Sequence, residues 1–146
     1  MKLINRNTNY AIRSLIYIAE AKKVVTVPEL VRSLRIPKAL LRKIMQILGR
    51  RNILESIKGK NGGFLLSKNP SRISIMDIAK IFQGDIEPVN CIFKSGACSN
   101  IKHCLIKDKG RKIEQDIAHW LKSISIASLL HCRQNKKYIT KRSRYA

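Results

Sequence analysis

Residues 26–66, TVPELVRSLRIPKALLRKIMQILGRRNILESIKGKNGGFLL, change hydrophobic period part-way along, and that change decides the fold. The stretch opens on a helix start: Thr26 at the cap, Pro28 within the first turn and Glu29 three residues on. Leu30, Val31 and Leu34 follow at helical spacing, and the segment ends near Arg35-Ile36-Pro37. From about Pro37 a second helix turns Leu40, Leu41, Ile44, Ile47 and Leu48 inward, with Lys38, Arg42, Lys43, Arg50 and Arg51 elsewhere on it. Two short helices around a tight turn, the second basic, make a helix-turn-helix pattern. Ile53–Ile57 and Phe64–Leu66 then read as short strands joined by Lys58-Gly59-Lys60-Asn61-Gly62-Gly63, a hairpin loop with two cations. The expected fold is a winged helix, mainly α with a small β-hairpin wing.

Working outward, residues 8–22 carry Ala11, Ile12, Leu15, Ile16, Ile18 and Ala19 on one broad apolar face, with Thr8 or Asn9 as the cap. A further helix starts at Ser74, where Asp77 stands in for the usual capping-box Glu or Gln, and stops at Gly84. Residues 106–131 predict one long helix with Ile106, Ile113, Ile117, Trp120, Leu121, Ile124, Ala127 and Leu130 along a stripe. Such a stripe exceeds what one small domain covers, so a homodimer is expected. The chain thus divides into a winged-helix unit (1–84), a cysteine-rich segment (85–105), a dimerisation helix (106–131) and a basic tail (132–146).

Charge narrows the function. Lys and Arg number 30 against 9 acids, and residues 1–75 alone hold 16 cations and 3 acids. A polyanionic partner follows, since neutralising phosphates releases counterions. The basic half reads as a compact domain rather than an amphipathic membrane helix, and no apolar run spans a bilayer. The N-terminal residues have no long apolar run of a secretory signal, which predicts a cytoplasmic protein with reduced thiols. No Ser-His-Asp set, paired carboxylates near a histidine or phosphate loop is present, so enzymatic chemistry is not expected.

The expected partner is double-stranded DNA. In a winged helix the start of the third helix enters the major groove, here Pro37, Lys38, Ala39 and Arg42. Lys38 and Arg42 are four apart and suit guanine O6/N7, while Ala39 permits contact with a thymine methyl. Lys58, Lys60, Asn61 and Gly62 form the wing tip over the minor groove or a phosphate, and Arg13, Arg50 and Arg51 suit phosphate.

CIFKSGACSNIKHC (91–104) holds three of the four cysteines at C-x6-C-x5-C, which is neither a thioredoxin pair nor a zinc ribbon. Three thiolates leave one position of an iron–sulfur cluster to another donor. Structural zinc through Cys91, Cys98, Cys104 and His103, a metal-free thiol switch and unliganded cysteines are the competing readings.

The segment Thr8 to Tyr17, the wing 58–63 and the three-cysteine loop together resemble the IscR/NsrR type of bacterial iron–sulfur transcription regulators, over about residues 1–130. The resemblance implies a dimer of winged helices crossed through the long helix, binding a palindromic promoter site. It also implies a 2Fe-2S or 4Fe-4S cluster on Cys91, Cys98 and Cys104 that sets DNA affinity in response to nitric oxide, redox or iron–sulfur status, with repression the expected output. This chain has Lys107 where IscR-like members have a ligating histidine and Asn9 where NsrR-like members have aspartate. Asn9, His103, water or a small thiol stay open as the fourth ligand. The alternative is a cofactor-free or zinc-bound regulator, controlled by thiol oxidation or by a partner enzyme.

Overall fold

The computed structural model describes residues 3–84 and 104–133. The order is α1 (Arg6–Ala21), α2 (Val27–Leu34), α3 (Lys38–Arg50), β1 (Leu54–Ile57), β2 (Gly63–Leu66), a short 3-10 turn (Pro70–Arg72), α4 (Ile75–Gln83) and α5 (Leu105–Ser123). Residues 126–133 are again helical. The mainly helical winged fold with its two-stranded hairpin is therefore as the sequence predicts.

Helix α2 starts where expected, with the Thr26 hydroxyl accepting from the Glu29 amide at 3.3 Å. It ends on Arg35, which takes the left-handed conformation (φ 54°) usual for glycine at a helix end. The burial of the next residue compensates: Ile36 is 1% exposed and plugs the core between α2 and α3. Arg13 on α1 reinforces the same corner, its Nη2 donating to the Leu34 carbonyl at 3.1 Å. The inward faces of α1, α2 and α3 then meet around Leu15, Ile18, Leu30, Leu41, Ile44, Met45 and Leu48, all buried.

Strands β1 and β2 pair antiparallel, with Leu54 opposite Leu66 and Ile57 opposite Gly63. Val25 adds a one-residue third rung, exchanging hydrogen bonds with Phe64 at 2.9 and 3.0 Å. This close approach explains Gly63: a Cβ there would stand 2.5 Å from the Val25 carbonyl oxygen. Gly62 is similarly forced, because its Cβ would overlap the Ile57 carbonyl.

Two helix starts differ from the sequence reading. Asn5, rather than Thr8 or Asn9, caps α1, its Oδ1 accepting from the Thr8 amide at 2.8 Å. The reason is a polar joint with the end of α4. Gln83 Oε1 accepts from the Asn5 amide (2.9 Å) and the Thr8 hydroxyl (3.1 Å), while Asn5 Nδ2 donates to the Phe82 carbonyl (3.1 Å).

The second difference is the long helix expected over 106–131, which breaks at Ile124–Ser125. There Ser125 pairs antiparallel with Ser74: Ile75 N–H donates to the Ile124 carbonyl and Ile126 N–H to the Ile73 carbonyl, both at 2.9 Å. Both serines then cap a helix. Ser74 and Asp77 form the full capping box of α4, and the Ser125 hydroxyl accepts from the Ser128 amide at 3.2 Å. Leu121 and Ile126 on either side of the break are 1% and 0% exposed. The expected single stripe is thus split: part enters the core, while Ile113 (51% exposed) and Trp120 (55%) face outward.

Replacing Gly63 with alanine should cost about 1–3 kcal/mol by overpacking against Val25. Thermal denaturation should show a melting temperature lower by roughly 3–10 °C. An unchanged transition would mean that the hairpin is not held against Val25.

Candidate nucleic-acid interface

Helix α3 lies across the core with Leu41, Ile44, Met45 and Leu48 buried. Its remaining faces are exposed: Pro37, Lys38, Ala39, Arg42, Lys43, Gln46 and Arg50. Ala39, Arg42, Lys43, Gln46 and Arg50 recur at threes and fours, so they form one outward stripe. Lys43 and Gln46 are additions to the sequence-predicted set. The signal for them was already there, in their i+4 and i+7 spacing from Ala39. Gln46 adds the side chain suited to adenine N6/N7.

The N-terminal end of α3 has a further property. Pro37 occupies the cap and makes no side-chain hydrogen bond, so the first-turn amides are left to an outside acceptor. Lys38 and Arg42 add full charges beside this positive helix end. A phosphate backbone meets amides and cations together there.

The wing holds the second set of cations. Lys58, Lys60 and Asn61 are exposed at the tip. The loop is closed by the Gly62 amide donating to the Gly59 carbonyl at 3.0 Å, with Gly59 at φ 109°. Gly62 contributes backbone shape there, since nothing larger fits.

Arg13 differs from the other sequence-predicted cations. Its guanidinium is partly spent on the Leu34 carbonyl, so it fixes the angle between α1 and the end of α2. Arg50 and Arg51 stand at the far end of α3, exposed.

Of the expected metal ligands, Cys91, Cys98 and His103 lie outside the described residues. Cys104 is described: it is a free thiol at the cap position of α5, partly buried, with no side-chain hydrogen bond to the helix. Lys107 lies one turn further on, half-buried. Asn9 is exposed on the first turn of α1, its side chain released from capping by Asn5. The Asn5–Gln83 joint holds that turn against the end of α4, from which the chain continues into the cysteine segment. Among the described residues no group of three or more His, Cys, Asp or Glu side chains could hold a metal ion. Among the same residues no helix is long and apolar enough to cross a membrane.

Comparison with known proteins agrees with this geometry. The chain is 35% identical over 86 residues to the HTH-type transcriptional regulator NsrR of Shouchella clausii, covering 58% of each protein. Its fold is similar to that of CymR, the global cysteine regulator of B. subtilis, with a TM-score of 0.73 at 20% identity over 90% of this chain and 98% of that one. It is similar also to T. potens IscR, with a TM-score of 0.72 at 18% identity over 91% of this chain and 88% of that one. Residues 4–132 match the Rrf2 family, iron-dependent transcriptional regulators. With a winged helix, an exposed basic third helix and a family match across nearly its whole length, the chain belongs to the Rrf2 family of transcriptional regulators and is not an enzyme.

Proposed function

We propose that this chain is a sequence-specific DNA-binding repressor whose affinity for its promoter is set by an iron–sulfur cluster responding to nitric oxide, redox or iron–sulfur status. The observation that carries the DNA half is the exposed stripe of α3, flanked by an uncapped helix start and a cationic wing. In this reading Lys38, Ala39 and Arg42 meet base edges, with Lys43 and Gln46 on the same face. Lys58, Lys60, Asn61 and the Gly62 backbone track the adjacent groove, and Arg50 meets phosphate. Arg13 acts by holding the helix-turn-helix angle rather than by touching DNA.

The outward Ile113 and Trp120 on α5 support a homodimer, because a half-exposed Trp and Ile one heptad apart are the seam a second helix covers. A two-fold dimer reads a palindromic site. The protein is cytoplasmic in this reading, where its thiols stay reduced.

Cys91, Cys98 and Cys104 are the proposed cluster ligands. Cys104 fits the role chemically: it stands at a helix start, and its sulfur makes no side-chain cap bond to that helix. Bound there, a cluster supplies a redox-labile and nitric-oxide-reactive group. Lys107 cannot ligate while protonated, which leaves Asn9, His103 or an outside ligand for the fourth position. Asn9 has the better support of the two side chains, since the α1 turn carrying it abuts the end of α4.

Two outcomes are expected. Against specific and random duplexes, Lys38→Ala and Arg42→Ala should each lose about 1–3 kcal/mol of discrimination. Lys60→Ala should weaken both duplexes alike and lower the salt slope by about one. Arg13→Met should lower thermal stability with an unchanged salt slope; a slope reduced by one would make Arg13 a phosphate contact. Separately, protein purified without oxygen should be brown, with iron and sulfide in near-equal amounts, and nitric oxide should bleach it and change promoter affinity. A colourless protein with zinc, or with no metal, would overturn the cluster and favour the cofactor-free regulator controlled by a partner protein or by thiol oxidation.

A further inference from the structure

The end of α3, the base of the hairpin, the 3-10 turn and α4 line a concavity of about 280 Å³. Its apolar lining comes from Ile53, Ile73 and Ile81; Ile53 and Ile73 are 5% and 2% exposed and anchored in the core. Three cations from three separate segments converge on it: Arg51 from the end of α3, Lys68 after β2 and Arg72 from the 3-10 turn. Among the described residues none of these three side chains has a hydrogen bond or ion pair. Lys80 also lines the rim and is already engaged.

The one carboxylate in the lining, Asp77, offsets only one of these three charges. Asp77 Oδ2 accepts from the Ser74 amide (3.1 Å) and the Ser74 hydroxyl (2.7 Å), where it completes the α4 cap. Gathering like charges around a concave, partly apolar surface is unfavourable until an anion joins them. A single carboxylate is satisfied by one guanidinium. Two guanidiniums and an ammonium suit the three oxygens of a phosphate dianion. The apolar side and the volume, at the small end for ligand pockets, leave room for a short carbon skeleton beside the phosphate.

We propose that this pocket binds a small phosphomonoester, as a site separate from the DNA-reading face. A backbone phosphate of DNA is the other source of the same group, but the position disfavours it. Arg51, Lys68 and Arg72 gather at the base of the hairpin and beside α4, outside the exposed stripe of α3 formed by Ala39, Arg42, Lys43, Gln46 and Arg50. The walls come from the end of α3, the wing base and α4, so a bound ligand fastens the recognition helix to the helix that leads into the cysteine segment.

The test titrates the full chain with glycerol 3-phosphate, inorganic phosphate and glycerol by calorimetry at about 0.15 M ionic strength, where exposed charges are screened. Saturable one-site binding of glycerol 3-phosphate is expected, weaker binding of inorganic phosphate and none of glycerol. Lys68→Gln/Arg72→Gln should weaken the phosphomonoester by about tenfold or more while leaving promoter affinity within about twofold. Lys58→Gln/Lys60→Gln on the wing should do the reverse. Equal affinity for the phosphomonoester in both double variants would overturn the proposal, as it would reduce binding to general surface charge. So would a Lys68→Gln/Arg72→Gln protein that loses DNA as the wing variant does, with no phosphomonoester bound by the native chain. Unchanged melting temperatures confirm that the variants fold; if the Lys68/Arg72 pair fails to fold, Lys68→Gln alone must weaken the ligand.

Discussion

Two tripeptides of the same sequence, Ile73-Ser74-Ile75 and Ile124-Ser125-Ile126, determine how the two halves of this chain are joined. They pair antiparallel through two backbone hydrogen bonds of 2.9 Å, and each then hands its serine to the start of a helix. The isoleucines are what hold the rung in place: Ile73, Ile75 and Ile126 are at most 3% exposed. Each fully buried isoleucine is worth roughly 1.5–3 kcal/mol, so the rung is fixed by packing and the two hydrogen bonds select its register. A short bridge of this kind also stops a helix. Residue 125 cannot be extended against residue 74 and helical at once, so α5 must end at Ser123 despite an apolar pattern that continues beyond it.

That stop determines which way α5 faces. With Leu121 fixed in the core, the positions a turn and two turns earlier, Ile117 and Glu114, are drawn half inward, and Gly110 is buried. Ile113 and Trp120, seven apart, are turned outward together. An ordinary amphipathic helix would bury its tryptophan and expose its charges. Here the core claims one face and leaves a second apolar face outward, which is the arrangement a helix needs to serve its own domain and a second copy at once. The same geometry places Cys104 at the opposite end of the 19-residue α5 from that anchor. Any rearrangement at the cysteine end therefore acts on a helix whose other end is tied to α4.

Much of this was readable in the residues, and the parts that were not share one cause. Thr26 with Glu29, Ser74 with Asp77 and the glycine-rich turn at 59–63 are local signals, satisfied within a few residues, and each stands as predicted. The misreadings are non-local. Asn5 caps α1 because Gln83, 78 residues away, holds its amide, and no local rule prefers Asn5 to Thr8. The break at Ser125 depends on a partner 51 positions earlier in the chain, and nothing local to either Ile-Ser-Ile marks the other as its partner. For Arg13, charge alone cannot reveal that a helix-end carbonyl lies within its reach. The cations at Arg51, Lys68 and Arg72 are far apart in sequence, and only the closure of the hairpin onto α4 brings them to one concavity.

The charge of the winged-helix half acquires a structural meaning from this. Sixteen cations against three acids in residues 1–75 must repel one another in the free protein. The fold tolerates this because it spreads them over rigid elements: the stripe of α3, the wing tip and the rim between α3 and α4. The apolar side chains beneath are almost completely buried, so the core does not depend on any ion pair, and the pairs Lys23–Glu29 and Arg133–Glu20 lie elsewhere. Cations held apart by a scaffold that needs no counter-charge remain available to a ligand. An anion binding the native state relieves repulsion that the unfolded chain, being expanded, feels less. Binding of DNA and stability of the domain are thus coupled through the same uncompensated charge, and the sign of that coupling follows from the fold.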